Sequence, residues 1–184
     1  MATKTNKTTK STKMVSAKKN DVVPQEAAAP KRTAFKDIDL NDNVTVYNGF
    51  HGMLIYVSSK THEKTVWSNY GDEQEIELRE LKNAKSAHKD FFINNWFIFD
   101  EEYDWVIDYL GVRKYYANSL GLEELDELIF KTADEIRKIV PTLSEGQKKS
   151  LVYRAADAVQ NDEIDSRSVI AALEETLNIE LVEK

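Results

Sequence analysis

Residues 44–67, VTVYNGFHGMLIYVSSKTHEKTVW, decide the fold class of this chain. Three short segments in this stretch are rich in β-branched and aromatic residues, which favour strands: VTVY (44–47), MLIYV (53–57) and TVW (65–67). The two glycines of NGFHG (48–52) suit positions with positive φ, so this segment predicts a hairpin turn between the first two strands. The polar segment SSKTHEK (58–64) predicts a second turn. The stretch therefore predicts a small antiparallel β-meander that ends at SNYG (68–71).

Residues 72–112 predict two helices, and the segment between them has a conformation that the sequence leaves ambiguous. Acidic residues at the start of DEQEIELRELKNAKSAHKD (72–90) and lysines towards its end favour a helix through the helix dipole. Its apolar residues approximate a helical stripe, namely Ile76, Leu81, Ala84, Ala87 or His88, and Phe91. The aromatic segment FFINNWFIF (91–99) predicts either a strand or a buried turn. DEEYDWVIDYLGV (100–112) predicts a short helix that ends at Gly111.

The C-terminal third predicts a bundle of helices. The capping residues expected at the helix starts are Thr132 with Glu135, Ser144 with Gln147, and Asp165 or Ser166. Pro141 must end the helix that precedes it. Apolar residues recur at helical spacing, and the core positions expected are Leu122, Leu125, Leu128, Ile129, Leu151, Val152, Ala155, Ala158, Val159, Ile170, Leu173 and Leu177. Short connections between these helices are typical of an antiparallel bundle.

Residues 1–33 differ in composition from everything that follows. They are mostly Lys, Thr, Ser, Ala and Asn, with two prolines and no aromatic residue. Such a segment cannot bury enough apolar area to offset its ordering entropy, so it predicts a disordered basic arm. The alternative interpretation is a tail that only aids solubility. The predicted organisation is an α+β protein with an arm at 1–33, an α+β subdomain at 34–112 and a helical subdomain at 113–184.

Charge is distributed unevenly along the chain. The arm has eight basic side chains, which are Lys4, Lys7, Lys10, Lys13, Lys18, Lys19, Lys31 and Arg32. Only Asp21 and Glu26 oppose them, so the formal charge of the arm is +6. The remaining residues hold 17 basic and 30 acidic side chains, a formal charge of −13. Asymmetry of this kind predicts an interaction tail on a domain of opposite sign, and the eight basic residues are the predicted contact residues.

The residues offer little for catalysis or metal binding. The chain has no cysteine, which excludes disulfides and thiolate chemistry. Its three histidines, His51, His62 and His88, have no second ligand at a metal-binding spacing. A Gly-rich phosphate loop and a nucleophile elbow are both missing from the sequence. We therefore predict no catalytic residue, no cofactor and no metal, and the absence of a long apolar run predicts no membrane span and no secretory signal.

The aromatic residues allow two interpretations. Tyr47, Tyr56 and Trp67 could form a base-stacking platform on a small sheet. That platform needs surrounding cations, and the acidic body repels phosphate, so core packing is the favoured interpretation. The dense cluster in residues 91–99 is also assigned mostly to the core, with one or two rings at an interface.

Four strings resemble a known group of proteins. They are VTVYNGFHGMLIYVS (44–58), WSNYGDEQEIELRELKNA (67–84), FFINNWFIFD (91–100) and WVIDYLGV (105–112). Together they resemble a small virion structural protein of tailed bacteriophages, particularly those of Firmicutes. The resemblance covers residues 42–182 and excludes the arm. It implies a non-enzymatic virion protein associated with the capsid, neck or tail, and it implies no catalytic residue.

Three hypotheses of function follow. The leading one is a virion structural or assembly protein that is assembled in the host cytoplasm and is present as a homo-oligomer or in several copies. Its body and its arm would bind other virion proteins, and the arm would allow contact with nucleic acid. The second is a regulatory protein that binds nucleic acid through the basic arm. The third is a small phage enzyme whose site is formed by residues distant in sequence.

Overall fold

A computed structural model describes residues 38–182 of the chain. The described strands are β1 (Asn43–Asn48), β2 (Leu54–Val57), β3 (Lys64–Trp67), β4 (Glu73–Glu77) and β5 (Phe97–Ile98). The described α-helices are α1 (Leu78–Ala87), α2 (Asp90–Ile93), α3 (Asp104–Leu110), α4 (Arg113–Tyr116), α5 (Leu122–Glu127), α6 (Ala133–Ile139), α7 (Glu145–Gln160) and α8 (Arg167–Leu177). Short 3-10 helices occupy Glu101–Tyr103, Leu128–Phe130 and Val140–Thr142.

The strands form two small antiparallel sheets. One has the order β4-β1-β5, and the other is the hairpin of β2 and β3. In the first sheet Val44 pairs with Ile76, and both side chains are buried. The α+β class with small antiparallel sheets is therefore confirmed. The arm predicted at 1–33 lies outside the described residues.

Strand pairing differs from the prediction in one respect. NGFHG (48–52) does not close a hairpin, because β1 pairs with β4 and β5 while β2 pairs with β3. The second predicted turn, at 58–64, is confirmed, because β2 and β3 pair across it as a hairpin. Gly49 donates its backbone N–H to the Trp96 carbonyl at 2.8 Å, so the loop after β1 turns away from β2 towards the segment before β5.

The helix predicted at 72–90 is correct only in its second half. Residues 73–77 form β4, and α1 begins at Leu78. Pairing with β1 satisfies the backbone groups on one side of this acidic segment, and its one apolar residue, Ile76, is buried. Residues 91–99 contain both predicted alternatives, since α2 ends at Ile93, a turn follows, and β5 occupies Phe97–Ile98.

Helix ends follow their local signals. Gly111 ends α3 with φ of +67°, a left-handed conformation that glycine adopts without strain. Thr132 and Glu135 form the expected capping box at the start of α6. The Ser144 hydroxyl accepts from the Gln147 backbone N–H at the start of α7. Ser166 is the residue that precedes α8, and its side chain makes no capping hydrogen bond.

Two hydrophobic clusters hold the described residues together. The first contains the strands with α1 and α3, and its largest fully buried side chains are Trp67, Tyr56, Phe92 and Phe97. The second contains the C-terminal helices, with Leu128, Ile129, Ile136, Leu151 and Leu173 fully buried. The clusters divide near the predicted boundary at 112/113, although Tyr115 and Tyr116 still pack on the first cluster. The division into subdomains stays a prediction.

Candidate functional site

The predicted contact residues of the arm, from Lys4 to Arg32, lie outside the described residues, so their role stays a prediction.

Within the described residues, the candidate site is the junction between the two hydrophobic clusters. Five polar residues are buried in the described part of the chain, and four of them lie at this junction: Asn48, Asn95, Gln147 and Ser150. Buried polar groups are costly unless they are hydrogen-bonded, so their partners show what the junction does.

Asn48 shapes the loop that follows β1. Its side-chain amide donates to the carbonyls of Gly52 and Asn69, each at 2.8 Å. Its Oδ1 accepts from the Phe50 backbone N–H at 2.9 Å. One fully buried side chain therefore closes the loop at 48–52 on itself and ties it to the loop before β4.

Two residues of α7 bind this loop and the connection before α5. Ser150 Oγ donates to the Gly49 carbonyl at 2.8 Å and accepts from the His51 backbone N–H at 3.0 Å. Gln147 Nε2 donates to the Leu120 carbonyl at 2.7 Å, and its Oε1 accepts from the Leu120 N–H at 3.3 Å. Each side chain satisfies both a donor and an acceptor of the backbone, so α7 holds both segments in a defined position.

Two glycines bring backbone into direct contact at the junction. A Cβ on Gly146 would lie 2.1 Å from the Asn94 carbonyl oxygen, and a Cβ on Gly49 would lie 2.4 Å from that of Asn95. Both distances are too short for any side chain. The Ser144 hydroxyl also donates to the Asn94 carbonyl at 3.2 Å. The start of α7 therefore packs on the turn at 94–95 at backbone distance.

A charged and aromatic cluster borders the junction. The His51 ring stacks on Tyr70 with centroids 4.1 Å apart and an interplanar angle of 13°. His51 Nε2 is buried, makes no hydrogen bond, and lies 3.7 Å from Asp126 Oδ1. Arg154 Nε binds that same oxygen at 2.7 Å, and Arg154 Nη2 binds Glu163 at 2.7 Å.

Burial sets the ionisation of this cluster. Desolvation lowers the pKa of His51, and the Arg154 guanidinium adds to this effect, while Asp126 opposes it. Burial likewise raises the pKa of Tyr70, whose hydroxyl donates to the Leu122 carbonyl at 2.7 Å. Both rings are therefore favoured in their neutral forms, which suits their stacking.

Ser150, His51 and Asp126 supply the residue types of a catalytic triad, but their geometry is different from one. The Ser150 proton is directed to the Gly49 carbonyl, and the hydrogen bond from His51 comes from its backbone and not from its ring. Asp126 is engaged by Arg154. In a triad the imidazole takes the hydroxyl proton. The observed contacts instead join segments of the fold, and no spacing pattern in the sequence marks them.

Several aromatic residues lie where core packing predicts them. Tyr56 and Trp67 are almost completely buried, so their ring faces are not available to bases. Tyr47 is partly exposed and donates to Asp100 at 2.7 Å. In the segment 91–99, Phe92 and Phe97 are buried and the remaining rings pack partly buried against the same cluster. The core interpretation is confirmed for Tyr56, Trp67 and the segment 91–99, whereas Tyr47 lies outside both hydrophobic clusters.

Three surface features remain as places where a partner could bind. The first is formed by Ile55 and Val57 on the exposed face of β2 and by Met53, which precedes this strand. An aromatic cleft is lined by Phe50, Trp96, Lys149, Val152 and Tyr153. A polar groove between the hairpin, β4 and α1 has four acidic residues in its lining, Glu63, Glu75, Glu77 and Glu80, with Lys60 and Arg79 as its basic residues.

Searches for metal-binding and membrane-spanning features covered the described residues only. Within 38–182, no group of three or more His, Cys, Asp or Glu side chains could hold a metal ion. Among the helices described for that range, none has the length and apolar character that crossing a membrane requires. Comparison of the chain with protein-family models, curated proteins and solved structures gave no match.

Proposed function

We propose that this chain is a non-enzymatic structural or assembly protein of a phage virion, present in several copies. The observation that carries the proposal is the separation of charge, +6 in residues 1–33 and −13 in the remainder. A chain with this division attracts other copies of itself, because the basic segment of one copy is complementary to the acidic body of the next. The resemblance of residues 42–182 to virion proteins supplies the biological setting, which is assembly in the host cytoplasm.

The acidic surface available to such a basic segment includes β4. Glu73, Glu75 and Glu77 on this strand are all exposed, and they alternate with Gln74 and the buried Ile76. Each exposed ion pair contributes only about 0.2–1 kcal/mol, so a single contact is weak. Several contacts made together by one segment add up, and repetition over many subunits strengthens them further. The proposed function therefore needs many copies, which a virion provides.

The second candidate is a nucleic-acid-binding regulator, which the eight basic side chains of the arm favour. Counterion release gives such binding a steep dependence on salt, with a slope of about −0.9 for each phosphate contacted. The body of charge −13 opposes it by repelling phosphate. The two candidates differ in partner, since one requires protein and the other requires DNA or RNA.

The test compares the full-length chain with a version that lacks residues 1–33. The mass of each is measured by light scattering at low and moderate salt, with and without a short DNA duplex. The assembly proposal predicts an oligomer that requires the arm, weakens with salt and ignores DNA. Unchanged assembly after removal of the arm would contradict it. A monomer that binds DNA through the arm and releases it as salt rises would favour the regulator.

A control with the same change in net charge distinguishes an effect of the arm lysines from an effect of net charge alone. Replacement of three arm lysines, Lys4, Lys7 and Lys10, by Gln should weaken assembly. Replacement of three exposed lysines of the body, Lys82, Lys131 and Lys138, makes the same change in net charge. The proposal predicts that this second set leaves assembly intact or strengthens it, because the body becomes more acidic.

A further inference from the structure

Within residues 38–182, the hairpin of β2 and β3 leaves one edge of β2 without a strand partner. Leu54, Tyr56 and the buried Ser58 alternate with the exposed residues Ile55 and Val57. Ser58 donates its N–H to the Glu63 carbonyl at 2.9 Å, which continues the register that pairs Val57 with Lys64. Since hydrogen-bonded pairs alternate in antiparallel ladders, Leu54 and Tyr56 exchange bonds with β3. The N–H and C=O groups of Ile55 and Val57 therefore point away from β3, and no strand in the described range lies on that side.

The side chains at this edge are apolar. Met53 is 60% exposed, Ile55 41% and Val57 44%, and all three lie on one face. Residues 53–57 contain no charge and no proline, the two features that usually protect an edge strand from pairing. Free backbone groups and uncharged side chains at an edge favour pairing with another strand.

We propose that the occupant is β2 of a second copy, paired antiparallel about a two-fold axis. The register that centres on Ile55 places Ile55 opposite Ile55 of the second copy and Met53 opposite Val57. This register is self-complementary, as a two-fold contact requires. It forms a four-stranded sheet with the exposed apolar side chains of both copies on one face.

Three partly exposed side chains and one strand edge cover far less than the roughly 800 Å² per partner of a stable interface. The contact is therefore weak between free monomers and effective where many copies are held close together. It would locate one body contact of the proposed assembly, and it rests on the proposed function because that assembly is what holds many copies close together.

Cysteine cross-linking of the full chain tests the pairing, and the cysteine-free sequence adds no background. In the proposed register the two Cα atoms at position 55 are about 5.5 Å apart, within the range for a disulfide. Ile55→Cys should therefore form disulfide dimers at least about tenfold faster than Ile93→Cys, a control of the same residue type and similar exposure, 37%. A mixture of Met53→Cys and Val57→Cys should cross-link more than either alone. Equal rates for positions 55 and 93 would overturn the inference.

A second experiment uses charge and salt. Ile55→Lys places like charges opposite each other and should weaken self-association by about tenfold in analytical ultracentrifugation, while Ile93→Lys should not. Cross-linking at position 55 should persist at about 1 M salt, where the Debye length is about 3 Å. Loss of the cross-link at high salt would indicate that a charged segment occupies the edge, and would overturn the inference.

The two proposals can fail separately. Arm-dependent assembly without the cross-link at position 55 would overturn only the pairing of β2. A cross-link at position 55 together with assembly that ignores the arm would overturn only the proposed function.

Discussion

Replacement of Gly146 by alanine tests whether the junction depends on backbone contact. Gly146 lies in the first turn of α7, and its φ needs no glycine. Helix propensity alone predicts that Gly146→Ala stabilises the protein by about 1 kcal/mol. The contact with Asn94 predicts the opposite sign, so the measurement distinguishes the two effects.

The structure sets the size of the loss. The added methyl group would lie 2.1 Å from the Asn94 carbonyl oxygen and 2.8 Å from the carbonyl carbon. The helix or the turn must then move by about 1 Å, and such overpacking costs typically 1–3 kcal/mol. Movement also weakens the hydrogen bond from Ser144 to Asn94, which contributes about 1 kcal/mol. After the gain in propensity, we expect a net loss of about 1–3 kcal/mol.

Equilibrium urea unfolding, followed by tryptophan fluorescence, measures this loss. Gly121→Ala is the control, because its nearest neighbour would be 3.8 Å away, and it should change the free energy of unfolding by less than about 1 kcal/mol. Gly49→Ala should behave like Gly146→Ala, since its methyl group would lie 2.4 Å from the Asn95 oxygen. A Gly146→Ala protein as stable as the original, or more stable, would refute the reasoning.

Two further predictions concern the same junction. Ser150→Ala removes the partner of the buried Gly49 carbonyl and of the partly buried His51 N–H, so it should reduce the free energy of unfolding by about 2–4 kcal/mol in urea. The exposed Ser59→Ala should not. Burial lowers the pKa of His51 in the folded protein from its ordinary value of 6.5. As the pH falls below 6.5, His51 is therefore protonated in the unfolded chain before it is protonated in the folded protein. The free energy of unfolding then falls by at most about 1.4 kcal/mol per pH unit. His51→Gln should remove this part of the pH dependence of unfolding. The other histidines are the same in both proteins, so a difference between the two pH profiles is due to His51. Identical pH profiles would contradict the prediction.

Local signals predicted three helix ends correctly, while the acidic residues at 72–75 did not mark the start of α1. The Thr132 capping box, the Ser144 cap and the left-handed Gly111 each depend on a few neighbouring residues, and each was found at its expected position. The α+β class followed from the contrast between β-branched segments and helical spacing. Helix caps and hydrophobic periodicity involve residues within one or two helical turns of each other, so the sequence alone was sufficient to predict these features.

The pairing of β2 with β3 across the turn at 58–64 was predicted correctly, because it joins neighbouring segments. The partners of β1 were not predicted, because its pairing joins distant segments. Residues 73–77 carry three glutamates, which are poor strand formers, and their charge resembled the start of a helix. Pairing with β1 overrode that preference. The loop at 48–52 has glycines that are typical of a hairpin turn, but Gly49 instead allows the backbone of Asn95 to lie close to it. A glycine needed for contact cannot be distinguished in sequence from one needed for a turn.

The sequence by itself determined the division of charge, the class of the fold and the helix ends at Gly111, Thr132 and Ser144, since all of these depend on composition or on near neighbours. Tertiary structure alone decided the junction. His51, Tyr70, Asp126 and Arg154 come from separate segments, and Ser150 meets Gly49 across a hundred residues of chain. Tertiary structure also left the edge of β2 open, because an edge is defined by the absence of a neighbour within the described fold. Contacts between distant residues depend on how the whole chain packs, which no short stretch of it specifies.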